Sequence, residues 1–458
     1  LTFFFFFGFR FCVYEKFGSC MNREISPPLA KRRKFEHIHD VPSLSSPPAH
    51  GKCQEGSHVN MSNHQSIRLF SWNVNGVAPF LPDLSPKITS FFKPLSEKGS
   101  FSQAAIAQGE PSPSLRSFLI RHNFPEVLFL QELKIRSSDT KSLEALQSSL
   151  NAPLPSEFDC SKGSSSLTDE RMYELHAVLP RDKHNVRGFR GKLYGVGSIL
   201  RKDFARKWVT HVRGVDWDLE GRISVVELRR PSIDATNRLI SHSVYEENAI
   251  AKKDIPFEQG DNSRSKPLVI LNIYAVNGTS APYRSPENGR IIGTRHDHKL
   301  AFHSRLRDEC FSLESQGFHV VVAGDVNVAR GPWDGFPKLR TFPVQHCVNR
   351  ADFNKKFFGG EDNLRAGAYL GERREYPGEE DEKCFDGVDV FRAIYGAERK
   401  YTYFPRDKEW GTSCDRVDVL FVSGQLWEQG RVLSTGILDT PQERGMSDHV
   451  PLWVDLML

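Results

Sequence analysis

The stretch FSWNVNG, residues 70–76, decides how the rest of the chain is read. It opens apolar, as a buried strand does, and then places Asn73, Asn75 and Gly76 where the strand should end. Asn and Gly are ordinary turn residues, so a strand running into a turn accounts for these seven residues taken alone. Whether that is enough depends on how the other strands finish.

The 458 residues are 39% hydrophobic and 26% charged, which suits a globular chain of one large domain or two ordinary ones. A formal net charge of +4 neither demands nor excludes nucleic acid, because basic residues can be gathered on one face. The eight cysteines form no CxxC pair, which argues against a zinc ribbon and for reduced thiols in an intracellular protein.

Residues 1–20 begin LTFFFFFGFRF, with seven Phe in eleven residues. The run is too short to span a bilayer and has no basic residues before it. It reads as a translated, non-native leader, with Met21 as the expected start. Residues 21–66 are rich in Pro, Ser, His and charge, and are expected to form a disordered basic tail. KRRK at 31–34 resembles a nuclear import signal, which points to the nucleus, with the cytoplasm as a second compartment.

From Ile67 the character changes. Strand-like runs recur: IRLFSWNV, EVLFLQEL, GVGSILR, RISVVELR, PLVILNIYAV, HVVVAGDVNV, RVDVLFVS and VPLWVDLML. PSLRSFLIRHN and HDHKLAFHSRLRDECFSLESQ carry apolar residues at helical spacing. Such alternation predicts a layered α/β domain over 67–458. Segments 231–266, 276–295 and 334–385 read as insertions, the last holding a short helix-like piece, NRADFNKKFF.

The other strands do finish alike. One ends in Gln131 and Glu132, another in Asp325 and Asn327; a fourth region carries Arg416 and Asp418, and the last run follows Asp448 and His449. A carboxylate at a strand end is ordinarily a turn residue. Five such ends on one rim, however, supply the converging oxygens that a hard divalent cation requires. A His beside carboxylates supplies a base and its orienting partner.

The ordered motifs SWNVNG, LQELK, NIYAVNG, GDVNVA, DRVD and SDHVPL resemble the endonuclease/exonuclease/phosphatase (DNase I-like) superfamily, and within it the exonuclease III-type apurinic/apyrimidinic endonucleases. The resemblance covers roughly 67–458. It implies a four-layer α/β sandwich with two packed mixed β-sheets flanked by helices. It also implies hydrolysis of a phosphate ester dependent on Mg²⁺, or on Mn²⁺ in its place. It assigns the metal site to Asn73, Glu132, Asp325, Asn327, Asp448 and His449, and catalysis to Tyr274, Asp325, Asn327, Asp418 and His449, with Asn277 positioning the phosphate. Asp415 stands where many of these endonucleases carry a Trp that helps wall the abasic-sugar pocket; Phe404 or Trp410 are the aromatic residues that could serve instead. Arg284, Arg290, Arg295, Lys338 and Arg340 lie in the insertions beside YAVNG and GDVNVA and are expected to grip duplex DNA.

The expected function is therefore Mg²⁺-dependent incision 5′ to abasic sites in duplex DNA by a monomer with no membrane association. The alternatives are another phosphodiesterase or phosphatase of the superfamily, acting on RNA, DNA–protein adducts or phosphoinositides, and an inactive binding protein.

Overall fold

The strand LVILNIY, Leu268–Tyr274, is buried at every position. Both of its faces must therefore be covered, and the side-chain alternation shows by what. The computed structural model describes residues 65–81, 114–153, 171–186, 194–230, 266–359 and 383–458.

Two six-stranded sheets pack face to face. The first runs, in spatial order, Val432–Ile437, Leu452–Met457, Ser66–Asn73, Val127–Gln131, Val196–Arg201, Tyr173–Val178. The second runs Gly387–Asp389, Asp418–Ser423, His319–Asp325, Leu268–Tyr274, Ile223–Leu228, Val209–Arg213. Each sheet is mixed. Ser66–Asn73 lies parallel to Val127–Gln131, and His319–Asp325 parallel to Leu268–Tyr274, while the other pairings are antiparallel.

Odd and even residues of a strand go to different cores. Leu69, Val127 and Phe129 of the first sheet meet Leu268, Ile270, Val321 and Leu420 of the second in the layer between the sheets. Phe70, Trp72, Leu128 and Leu130 face outward onto Leu115, Phe118 and Leu119 of the helix Leu115–Arg121 and onto Leu146 and Leu150 of Thr140–Leu150. On the far side, Val269, Leu271, Val320 and Val322 pack under Phe302, Leu306 and Leu313 of the helix Arg295–Ser315 and under Phe353 and Phe357 of Gln345–Phe357. The result is the expected helix–sheet–sheet–helix sandwich.

Register brings the functional strand ends to one rim. Asn73 pairs with Gln131 in the first sheet, and Asp325 pairs with both Tyr274 and Asp418 in the second. A buried polar bridge fixes the two sheets against each other at this end. Gln131 Nε2 donates to Ser71 Oγ at 3.0 Å and to Asn272 Oδ1 at 2.8 Å, and Asn272 Nδ2 donates to the Gly197 carbonyl at 3.0 Å. Gly324, at φ 148°, is required within the second sheet: a Cβ there would lie 1.9 Å from the carbonyl oxygen of its register partner, Ile273.

The eight strand-like runs read from the sequence are the eight interior strands. Segment 276–295 is more structured than an irregular insertion. It holds a hairpin, Pro282–Arg284 with Ile291–Thr294, and its last residue begins the helix Arg295–Ser315. Segment 334–385 contains the helix Gln345–Phe357 and a two-residue strand, Gly335–Phe336, paired with Cys414–Asp415. The leader and the tail up to residue 64, the 231–265 segment and residues 360–382 lie outside the described residues.

A buried ionic cluster anchors the loop that follows Asn327. Arg416 donates to Asp334 Oδ1 and to Asp389 Oδ2, each at 2.7 Å, while Arg330 also pairs with Asp389 and Arg392 with Asp334. Burial works to raise the Asp389 carboxyl, but Arg416 and Arg330 outweigh it and hold it below the usual carboxylate range. Removing one partner strands a buried charge. Asp389→Ala should therefore cost about 3–5 kcal/mol in denaturant unfolding. A loss under about 1 kcal/mol, the worth of a surface pair, would show that the cluster is not structural.

Candidate active site

The ends of the two central strands make the same local turn. Asn75 N–H donates to Asn73 Oδ1 at 3.0 Å, and Asn327 N–H donates to Asp325 Oδ1 at 2.8 Å. Both turns put their third residue at φ 53°, in the left-handed region that Asn tolerates better than most residues. Glu132 and Lys134 also sit at φ 56°, where neither residue type is at ease. Such strain costs on the order of 1–3 kcal/mol per residue and gathers at functional sites.

The opening asparagines thus have two separate explanations. Asn75 is a turn residue. Asn73 is fully buried and bridges two carboxylates: its Nδ2 donates to Glu132 Oε1 at 3.1 Å and to Asp325 Oδ2 at 3.0 Å. The Asn73 oxygen, expected to face a metal, accepts from the Asn75 amide.

Lys134 joins this group, its Nζ lying 2.8 Å from Glu132 Oε2. Burial works to raise the Glu132 carboxyl, but Lys134, with hydrogen bonds from Asn73 and Tyr274, holds it below its ordinary value. Tyr274 is buried beneath the Arg222 guanidinium, which lies 4.9 Å from its ring centre.

His449, just before the strand Leu452–Met457, faces this group. Its Nδ1 lies 2.7 Å from Asp418 Oδ2, and its Nε2 lies 4.0 Å from Asp325 Oδ2. Burial opposes the imidazolium, but Asp418 and Asp325 outweigh it and raise His449 to about 10. One ring nitrogen is thus committed to Asp418, and the other faces Asp325. Asp325 is raised, first by burial and then by Asp418, with His449 opposing. The backbone around His449 is pinned to the first strand. Ser447 Oγ accepts from His449 N–H at 3.0 Å and donates to the Asn73 carbonyl at 2.6 Å, and Trp72 Nε1 donates to the His449 carbonyl at 3.0 Å.

Glu132, Lys134, Tyr274, Asp325 and His449 line a cleft of about 760 Å³, together with Asn277, Asn327, Asp448, Arg284 and Arg340. Asn327 turns its Nδ2 to the Ala275 carbonyl at 2.9 Å. Among the expected DNA-gripping cations, Arg284 and Arg340 are exposed on the cleft wall, while Lys338 and Arg290 are exposed and do not line it. Arg295, expected with them to grip DNA, is not on the surface. It is buried against Glu220, with Nη2 2.8 Å from Oε2, in a cluster shared with Arg222.

The wall beside His449 also differs from expectation. Phe404 is buried and stacks on Trp410 at 3.8 Å, and neither residue lines the cleft. Tyr403, Asp415 and Val417 do, with Arg340 Nη2 2.8 Å from Asp415 Oδ2. Lys299, which sequence reasoning passed over, is buried and lines the cleft, and its Nζ donates to the Asn327 carbonyl at 2.7 Å. Its only sequence signal is a lysine on the inward face of an amphipathic helix.

Residues 70–449 match the model of the Endonuclease/Exonuclease/phosphatase family, and the chain belongs to that family. It is accordingly a hydrolase of a superfamily whose members depend on divalent metals and cut phosphate esters. No curated protein matches the chain. Its fold is similar to that of the AP endonuclease LMAP from Leishmania major (15% identity, 88% of this chain and 91% of that one, TM-score 0.49). It is also similar to the APE2 catalytic domain of Xenopus laevis (15%, 86% and 93%, TM-score 0.47) and to the 3′ phosphatase NExo from Neisseria, bound to product DNA hairpin (14%, 85% and 99%, TM-score 0.42).

Proposed function

We propose that this chain is a Mg²⁺-dependent DNA repair endonuclease that incises the backbone 5′ to abasic sites and leaves a 3′-hydroxyl. The observation that carries the reading is the Asp418–His449–Asp325 arrangement at one end of the cleft with the Asn73-bridged carboxylates at its floor. The nuclear address rests on KRRK at 31–34 alone.

The residues present fit a hard cation. Glu132 and Asp325 bring carboxylate oxygens to the same Asn73 nitrogen, and Lys134 already holds a positive charge on Glu132. Among the described residues, Asp325, Asp418 and His449 also bring ligand atoms within 4.8 Å of one another, but there His449 Nδ1 is already bonded to Asp418. We therefore assign the ion to Glu132, with Asp325 beside it and Asp448 on the cleft wall. When bound, Mg²⁺ supplies Lewis-acid neutralisation of the phosphate charge.

The chain's own groups do the rest. Asp325, raised toward the neutral range, takes the proton of the attacking water. The His449 cation, held by Asp418, stabilises a non-bridging phosphate oxygen as charge develops. Asn327 and Tyr274 hold the phosphate between them, with Asn277 at the cleft mouth.

A pH dependence follows. The His449 cation is lost as pH rises through about 10, so activity should fall there. Asp418→Asn removes the carboxylate that raises it, and the alkaline limb should move down toward the ordinary imidazole range near ~6.5. A kcat/KM profile with an unmoved limb would remove His449 as the titrating group.

The polar wall of Asp415, Tyr403 and Arg340 favours a second reading in the same family, a phosphodiesterase whose leaving group carries hydrogen-bonding atoms. The test is incision of duplex DNA holding one abasic analogue, run beside a 3′-blocked end, poly(A) and a phosphoinositide, each with Mg²⁺. Selective cutting of the abasic duplex supports the first reading, and preference for another substrate replaces it.

A further inference from the structure

Lys299 presents an unusual charge. It lies in the second turn of the helix Arg295–Ser315, only 2% exposed, and lines the cleft. Its one hydrogen bond goes to the Asn327 carbonyl, and among the described residues no carboxylate lies within ion-pair distance of it. A buried cation with no carboxylate in contact is costly: burial pulls Lys299 down to about 7, with the Asp325 charge opposing and Arg222 adding to the fall.

Arg350 adds a guanidinium beside Lys299, and His346 a further polar side chain. His346 and Arg350 line the same cleft, on the helix Gln345–Phe357. The Arg350 guanidinium is held in place by the Ala329 carbonyl at 2.6 Å and the Arg340 carbonyl at 2.8 Å. Burial lowers His346, and Lys299, Arg340, His296 and Arg350 lower it further. Only Arg340 in this group has a carboxylate partner, Asp415. The Asn277 loop seals the cluster from below. A Cβ on Gly278 would come within 2.6 Å of His296 Nδ1, 2.9 Å of Asn349 Nδ2 and 3.1 Å of Lys299 Cδ.

We propose that Lys299, His346 and Arg350 form a second anion subsite that takes a phosphate of the substrate chain next to the one being cut. The proposal rests on the phosphodiester reading above. The cluster opens into the cleft that holds Asp325 and His449, so one strand can reach both. Donors held by backbone carbonyls are pre-oriented for phosphate oxygens, and a charge-assisted bond there compensates the buried cation.

The test uses the full chain and abasic duplexes in which single phosphates flanking the scissile one are replaced by neutral methylphosphonates. Wild type, Lys299→Met and His346→Gln are compared in kcat/KM, with melting temperatures to confirm folding. In wild type, one position should cost about 10-fold or more when neutralised. In the variants that same position should cost less than about 3-fold, while the other positions keep their wild-type penalties. Unchanged penalties in His346→Gln and in folded Lys299→Met, or no sensitive position in wild type, would overturn the subsite. Failure of wild type to cut the unmodified duplex would instead remove the endonuclease reading, and the subsite with it.

Discussion

His449→Ala should lower kcat/KM for abasic-duplex incision by about 10³-fold, with little change in duplex binding. The imidazole is a preorganised cation. Asp418 fixes its Nδ1, the Ser447 and Trp72 bonds fix its backbone, and its Nε2 faces Asp325 across 4.0 Å. Alanine removes the one charged donor aimed from that side, and water cannot replace it without reorganising. Asp418→Ala should cost less, because Asp418 acts only through the ring. Single-turnover incision measures both. A His449→Ala enzyme within tenfold of wild type would show that the phosphate is stabilised elsewhere.

Glu132→Gln should raise the Mg²⁺ concentration for half-maximal activity by about 100-fold. The substitution keeps the side chain's shape and the Asn73 contact but removes the charge, and Lys134 loses its ionic partner. DNA affinity measured in chelator should stay near wild type, since Arg284 and Arg340, the cations proposed to grip DNA, lie elsewhere on the cleft. A Mg²⁺ titration superposable on wild type would show that Glu132 does not hold the ion.

The sequence carried some of this architecture plainly and hid the rest for physical reasons. Interior strands such as LVILNIY are covered on both faces and read as unbroken apolar runs. The four missed strands of the main sheets, Tyr173–Val178, Val209–Arg213, Gly387–Asp389 and Val432–Ile437, are the sheet edges. Three of them are partly exposed, with polar residues such as His176 and Thr210 that blur the strand signal. Gly387–Asp389 is buried but only three residues long.

The site was legible as a set of strand ends, since carboxylates and carboxamides there are few and their order matches one family. What each side chain does was less legible. Asn73 and Asn75 look alike in sequence, yet one bridges two carboxylates and the other turns the chain. Arg295 looked like a loop cation, but its partner Glu220 is 75 residues away. Phe404 and Trp410 pack on each other because the neighbouring residue, Tyr403, is the one turned toward the cleft. Pairings at such separations depend on the assembled sheets and leave no local trace.

The central claim is that water attacks phosphorus. Incision of an abasic duplex in ¹⁸O-enriched water, with mass spectrometry of both fragments, tests it most directly. In this account one ¹⁸O enters the 5′-phosphate of the downstream fragment for each cut, the bond to the 3′-oxygen breaks, and the upstream fragment ends in an unlabelled 3′-hydroxyl. Cleavage with no ¹⁸O in the phosphate and an unsaturated sugar on the upstream fragment, the outcome of β-elimination, would contradict it.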